Sequence, residues 1–427
     1  MGPRLDLLTP GGMMLKKWTA VLAACAALLS AGPAAAEKYD FDQGVDVKPI
    51  VERIQAEVAK DRAATWTIMV FVNAKNNLEK YGMLDVNEME KIGSTDKVKI
   101  AVELGRIRGY DASDGDWKGQ RRLIVQKDAD MSKIASPILQ DIPKGDMGDW
   151  RHLVEFVAWA KEKAPAQKYM LVVWNHGSGW DKQPGRDVTT LGISYDDETG
   201  NHISTVDLGQ ALAAMGKLDV FASDACLMQM AEVAYQIKDY AEFVVASEET
   251  EPGDGYTYDD MLGPLAGNPG QSAQSLAALT AKAYTAHYAS MGQGATQSSI
   301  RSASLSALAS KLSAWADAVM AAGEDAMVKS AKSATQDFYY SDNKDLVDFV
   351  LRINAGTQNA ALKAQGEELV KFLKEQVIAA NAVTGSNYAG ANGLAVYLPN
   401  YSYNGNYDKL AWAGTWAKFA KWASALR

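Results

Sequence analysis

Two short stretches hold the residue types that do chemistry. In 171-LVVWNHGSGW-180 a run of strand formers breaks at His176, one of four histidines in the chain, and two glycines follow. In 218-LDVFASDACLM-228 a similar run breaks at Cys226. A thiol near neutral pH is only partly ionised, and a neighbouring imidazole can accept its proton. Gly177 lets the backbone turn sharply and lets a substrate come close. The N–H groups of Gly177 and Cys226 are the two donors expected to converge as an oxyanion hole for acyl transfer. The apolar run from Leu227 reads as a helix, whose N-terminus would favour both thiolate and oxyanion. The other histidines fit less well: His152 reads as a surface residue on a helix, His287 as packing or surface, and His202 as the one rival loop histidine.

The bulk numbers exclude several classes. The 427 residues carry a formal charge of -9, which argues against a nucleic-acid footprint. Lys16 and Lys17 precede the apolar stretch 18-WTAVLAACAALLSAG-32 and then Ala34–Ala36, the pattern of a secretory leader cut after Ala36. The expectation is an exported protein, periplasmic or extracellular, with acylation at Cys25 the less favoured alternative. No later run is long and apolar enough to span a membrane. Loss of the leader leaves Cys226 alone, so it has no partner for an internal disulfide; the competing reading is a small buried apolar residue. Scattered histidines and one mature cysteine lack zinc-ligand spacing, so no metal site is expected.

The elements that must position these residues alternate. Strands are predicted at 66–74, 98–104, 121–126, 169–175, 218–223 and 242–247, with helices at 78–92, 150–165, 205–215 and 227–237 between them. Near-continuous apolar strands separated by helices indicate an α/β fold with a mostly parallel central sheet covered on both faces. Right-handed crossovers then bring His176 and Cys226 to one carboxyl rim, where ligands of such sheets bind. After a lead-in at 37–63, residues 64–263 form the expected catalytic core. Residues 264–427 form a portion rich in helices, at 271–290, 302–322, 357–381 and 408–426, that returns one strand, 393–399, to the sheet.

The two motifs, taken with 66-WTIMVFVNAKNNLE-79, 246-ASEETEPGDGYTY-258, 341-SDNKDLVDF-349 and 391-ANGLAVYLPN-400, closely resemble the clostripain family of cysteine peptidases over most of residues 64–420. The resemblance implies a caspase-like sandwich and an endopeptidase acting on proteins or peptides after Arg or Lys, with no cofactor required. It implies a dyad of His176 and Cys226, Asp224 at the floor of the pocket for the basic side chain, and Asp254 as a second acidic wall. Read without it, Asp224 is a strand-end cap and Asp254 a turn residue. Some members cut themselves between the two motifs, which makes Lys182 and Arg186 candidate self-cleavage sites. Some use calcium, and 194-SYDDETGN-201 offers oxygen ligands, although it lacks EF-hand spacing and also reads as a solvated loop. Lys75 and Arg301 stand where relatives tend to be acidic; Lys75 is expected to weaken the preference for basic substrates if it borders the cleft, and Arg301 to be structural. Two further readings keep the scaffold: a transpeptidase using the same acyl-enzyme, and a non-catalytic binding protein, against which the intact His–Cys pair argues.

Overall fold

The computed structural model describes residues 64–180 and 192–426. The leader with Cys25, the 37–63 lead-in, Lys182 and Arg186 lie outside the described residues. Strands β1 (Ala64–Ala74), β2 (Val98–Arg106), β5 (Ala166–Trp174), β8 (Leu218–Asp224) and β9 (Ala241–Ala246) form the parallel centre of a sheet in the order β9-β8-β5-β1-β2. Beyond β2 lie two antiparallel strands, β3 (Gly119–Ile124) and β4 (Ile138–Ile142). Beyond β9 lie two more, β10 (Ala295–Arg301) and β12 (Ile378–Thr384).

Helices cover both faces, which is why the central strands are apolar on both sides. Met69 and Phe71 of β1 point into one core, shared with α2 (Trp150–Lys163), α3 (Thr205–Met215), α4 (Ala231–Ile237) and the C-terminal helices α7 (Leu305–Ala322), α8 (Asp325–Ala334), α9 (Leu346–Gly356), α10 (Ala360–Phe372) and α11 (Ala413–Ala425). Ile68, Val70 and Val72 point into the other, shared with α1 (Glu79–Ile92), α5 (Tyr258–Gly267) and α6 (Ala273–Ser290). Side-chain caps start several of the helices. Asp149 accepts from the Arg151 N–H, Ser204 from Asp207 and Ser272 from Ser275. Among the described residues no helix is long and apolar enough to cross a membrane.

The C-terminal portion differs in detail from its sequence pattern. It returns two strands to the sheet, β10 and β12, and the segment expected to join it forms β13 (Ala395–Tyr397), paired with β11 (Asn343–Asp345) in a separate ribbon. Strand β10 is polar for a buried position; two of its three hydroxyls find partners, while Ser299 Oγ has none. Thr296 Oγ1 lies 2.9 Å from Ser247 Oγ, while Ser298 Oγ accepts from Gln229 Nε2 at 2.7 Å and donates to the Gly393 carbonyl at 2.6 Å. The chain leaves α10 through a π-turn at Leu373–Val377 and turns extended at Ile378, inside a stretch that reads as helix. Arg301 reaches the Glu375 and Ile378 carbonyls and so ties β10 to this exit.

A buried acid joins the C-terminal segment to the core. Glu232 on α4 accepts from the Tyr407 hydroxyl at 2.6 Å and from the Tyr397 N–H at 3.0 Å. Trp180 packs edge-on against both tyrosines, at 4.8 and 4.7 Å between ring centres. Burial pushes the Glu232 carboxyl up to about 7 from 4.5, against the two hydrogen bonds. The folded state therefore holds this proton more tightly than the unfolded chain. Its contribution is full below about pH 4.5 and is lost as pH rises through about 7, by at most about 3 kcal/mol. Denaturant midpoints should fall between about pH 5 and about pH 8, and the fall should be shallower in Glu232→Gln; equal slopes would remove Glu232 from this account.

Candidate active site

Register sets the geometry. Trp174 at the end of β5 pairs with Asp224 at the end of β8 and with Val72 of β1. His176 and Cys226 thus each lie two residues past one paired position. Asn175 locks the first break. Its Nδ2 donates to the Asn73 and Tyr195 carbonyls at 2.5 and 3.0 Å, and its Oδ1 accepts from the His176 and Tyr195 N–H groups. Ser178 and Gly192 are joined by two bonds, with Ser178 N–H donating to the Gly192 carbonyl and Gly192 N–H to Ser178 Oγ, both at 3.0 Å. Gly177 sits so close to the second break that a Cβ there would lie 2.4 Å from the Cys226 carbonyl oxygen.

The second break departs from the sequence pattern. The helix expected from Leu227 starts only at Ala231, so Cys226 does not sit at its N-terminus. Leu227 instead has φ 65°, a left-handed conformation rare for a bulky residue, and costs on the order of 1–3 kcal/mol. Residues 227–230 are held in this course by neighbouring backbone. Leu227 N–H donates to the Glu249 carbonyl, Gln229 N–H to Ser247, and Met230 bridges Ala395. The anion-stabilising donors are consequently individual amides: the N–H of Glu251 lies 3.3 Å from the Cys226 sulfur, and those of Cys226 and Gly177 also face it.

Burial dominates the electrostatics. It pushes the Cys226 thiol above its ordinary value, and the Glu249 carboxylate adds to the rise, against the three amides. It pushes His176 below its ordinary value, and the Asp197 charge only partly offsets this. Both shifts favour the neutral thiol and the neutral imidazole. The His176 Nε2 lies 2.7 Å from Asn77 Oδ1, which places the ring hydrogen on Nε2 and leaves Nδ1 bare as a proton acceptor.

Two cavities meet at the pair. A cleft of about 540 Å³ runs past His176 and Cys226 between the Asp196–Asp197 wall and Tyr339–Tyr340. A smaller cavity of about 250 Å³ is lined by both residues together with Trp174, Asp224, Glu251, Gly253 and Gly255. Asp224 is buried and accepts from the Tyr256 N–H at 3.1 Å and the Tyr258 hydroxyl at 2.8 Å. Burial raises its carboxyl to about 6. Glu251 has no donor at normal hydrogen-bond distance to either oxygen, and burial, then Asp224, then Cys226 push it well above the carboxylate range. Behind the wall, Asp85 accepts from Trp174 Nε1 at 2.6 Å and is raised by burial and by Asp224. Among the described residues no lysine or arginine lines the smaller cavity.

Asp254 is half-buried and does not line the smaller cavity, although its charge reaches Asp85; Gly255 lies close enough that a Cβ there would come within 2.8 Å of Asp224. Glu251 takes the acidic place instead. Lys75 does not present its charge to the cleft, because it is fully buried against Asp196 and Glu198. Those two acids belong to the loop considered for calcium, and among the described residues no cluster is arranged to hold a metal ion. His152 is largely buried against Glu103 rather than exposed. His202 stacks on Tyr195 at 5.5 Å, and His287 packs edge-on against Tyr288. Sequence reading missed Asn77 and Glu251. Both lie inside the quoted motifs 66–79 and 246–258, and neither has a type or spacing that marks it without the fold.

Gly177→Ala should slow alkylation of Cys226 relative to the unmodified chain at every pH, because backbone must move to admit the methyl group. In the unmodified chain, iodoacetamide labelling should climb with pH beyond the ordinary thiol range. A plateau of fast labelling at neutral pH would mean a thiolate–imidazolium pair and contradict the neutral one.

A sequence model of the clostripain family matches residues 70–427. Clostripain from Hathewaya histolytica is 27% identical over 234 residues, which is 50% of this chain and 44% of that protein, so the chain spans less than half of this relative. A secreted cysteine protease of the family from Bacteroides thetaiotaomicron, solved with an irreversible peptide inhibitor, shares the fold with a TM-score of 0.63 at 21% identity, covering 84% of this chain and 99% of that one. An inactive zymogen from Parabacteroides distasonis does so with a TM-score of 0.59 at 19% identity, covering 84% and 99%.

Proposed function

The chain belongs to the clostripain family of cysteine peptidases, and from that premise we propose that it is an exported endopeptidase cleaving after Arg or Lys through His176 and Cys226. The observation that supports the specificity is the buried carboxyl pair Asp224 and Glu251, which shares a cavity with the two reactive residues and has no cation lining it among the described residues. Two such groups repel each other as anions and hold a proton between them when the pocket is empty. A substrate guanidinium or ammonium relieves both penalties at once, and a guanidinium matches a carboxylate with two parallel bonds.

The reaction follows from the groups in place. The scissile carbonyl enters the cleft with its basic side chain in the acidic cavity. His176 Nδ1 takes the Cys226 proton as the sulfur attacks the carbonyl carbon, and the Gly177 and Cys226 N–H groups hold the resulting oxyanion. The carbon–nitrogen bond breaks, and the imidazolium returns its proton to the leaving amine. Water then adds to the thioester with His176 as base, releasing the acid and the thiol. Asn77 keeps the ring in the tautomer this sequence of transfers needs. Side chains and backbone carry every step, so no cofactor is required.

Export rests on the residue pattern of 1–36, and cleavage of the chain by itself at Lys182 or Arg186 is part of the same proposal, supported by their basic character. A fluorogenic panel on residues 37–427 that varies only the residue before the cut tests the specificity. Cleavage after Arg or Lys should disappear in Cys226→Ala, and Asp224→Asn should lower kcat/KM for those substrates by about 10²-fold. Turnover after Leu or Asp with Arg and Lys silent would sink the acidic-pocket assignment. Intact mass of the incubated chain, compared with Cys226→Ala, tests self-cleavage: an unbroken wild-type chain counts against it.

Asn77→Ala should lower kcat about tenfold or more with KM little changed, and the conservative Asn77→Asp should recover part of the loss. An unchanged kcat in Asn77→Ala would leave the ring held by its surroundings alone.

A further inference from the structure

A buried ammonium sits behind the cleft wall with all its hydrogens spent. Lys75 Nζ donates to the Gly145 carbonyl at 2.8 Å and to Asp196 Oδ2 at 2.8 Å, and it pairs with Glu198 Oε2 at 2.6 Å. A lysine has three donors, so this set is complete. The side chains of Lys75 and Asp196 have no exposed surface. The lysine stem lies against Gly105, where even a Cβ would approach Lys75 Cγ to 3.2 Å, so the charge has little room to move.

The three oxygens come from two segments, and Lys75 from a third. Gly145 belongs to the loop that leads to α2. Asp196 and Glu198 belong to the hairpin of β6 (Ile193–Asp196) and β7 (Asn201–Ile203). Lys75 itself lies just past β1, two residues before Asn77. Further bonds join the same segments: Asp196 Oδ2 accepts from the Met147 N–H at 3.0 Å, and the Asp197 N–H donates to the Lys75 carbonyl at 2.9 Å. The hairpin forms one wall of the cleft, and its Tyr195 carbonyl receives the side chains of Asn76 and Asn175. The position of one charge thus sets the wall relative to the turn that holds His176.

We propose that Lys75 is a built-in cation for this peptidase. Its ammonium fills a cage of two carboxylates and a carbonyl, the hard-oxygen donor set that otherwise suits a divalent ion. Cleavage by this chain therefore runs without added metal, and removal of the lysine creates a requirement for a small cation. The activity readout rests on the peptidase reading above; the melting readout does not.

Melting of wild type and Lys75→Ala is measured in EDTA, in calcium chloride and in ethylammonium chloride, with kcat and KM on the best peptide of the panel. Wild type should melt and turn over equally in all three. Lys75→Ala should melt about 5–10 °C lower in EDTA and lose about tenfold or more in kcat. Calcium or ethylammonium should restore at least half of each loss, and the double variant Lys75→Ala with Asp196→Asn should not respond. A folded Lys75→Ala indifferent to both cations, or a wild type inactivated by EDTA, would overturn the proposal. Should Lys75→Ala fold in none of the buffers, Glu198→Gln decides: a kcat lower by about two- to fivefold at nearly unchanged melting supports the cage, and wild-type kinetics reject it. If no peptide is cleaved by the wild type, the melting arms still decide on Lys75 and the peptidase reading falls alone.

Discussion

A strand buried on one face or both can slide against its neighbour only in steps that keep the same side chains inward, and here that restriction fixes where the reactive loops begin. Trp174, Asp224 and Val72 stand at one level of the sheet, so the breaks after β5 and β8 open onto the same small volume. Everything nearer the chemistry is hung from that level. Asn175 turns the first chain outward by bonding across to β1 and the hairpin, and Leu227 turns the second by accepting an unfavourable backbone angle. Gly177 is the point at which the two loops touch, and its lack of a side chain is what allows the amides to share one sulfur.

The second organising theme is uncompensated acid. Asp85, Asp224 and Glu251 crowd around one cavity, and phenols rather than cations surround them: Tyr256, Tyr258 and Tyr284 are all pushed well above their usual range, chiefly by burial. Carboxyls without counter-ions are costly inside a protein and persist where function or a shared proton supports them. The contrast with the other side of the cleft is instructive. There Asp196 is equally buried, yet a lysine neutralises it within the chain. One wall carries its own cation, while among the described residues no lysine or arginine lines the floor.

Much of this was legible in the residues. The central strands and the first helices announce themselves by periodicity because each buries a continuous face, and strand ends followed by His-Gly and Asp-Ala-Cys mark the rim. Four features were not legible, for physical reasons. The run from Leu227 has helical composition, but tertiary backbone bonds from Ser247 and Glu249 outcompete the first helical turn. Strand β10 hides behind hydroxyl residues, of which Thr296 and Ser298 find partners only in the folded sheet. Glu251 and Asp254 are equivalent on paper, and only the turn through Gly255 decides which reaches the cavity. Asn77 gains its meaning from a ring ninety-nine positions away.

The paired bonds between Ser178 and Gly192 have a consequence for chain connectivity. They staple together the two ends of the segment 181–191, and on the N-terminal side Trp180 is wedged between Tyr397 and Tyr407. The strand carrying the histidine and the strand carrying the cysteine are meanwhile direct neighbours in the sheet. A cut anywhere in that segment therefore severs a covalent path without severing a mechanical one. The two pieces would migrate as a single particle in native buffer and separate only in denaturant, so the molecule has a place where it can be opened chemically while remaining whole.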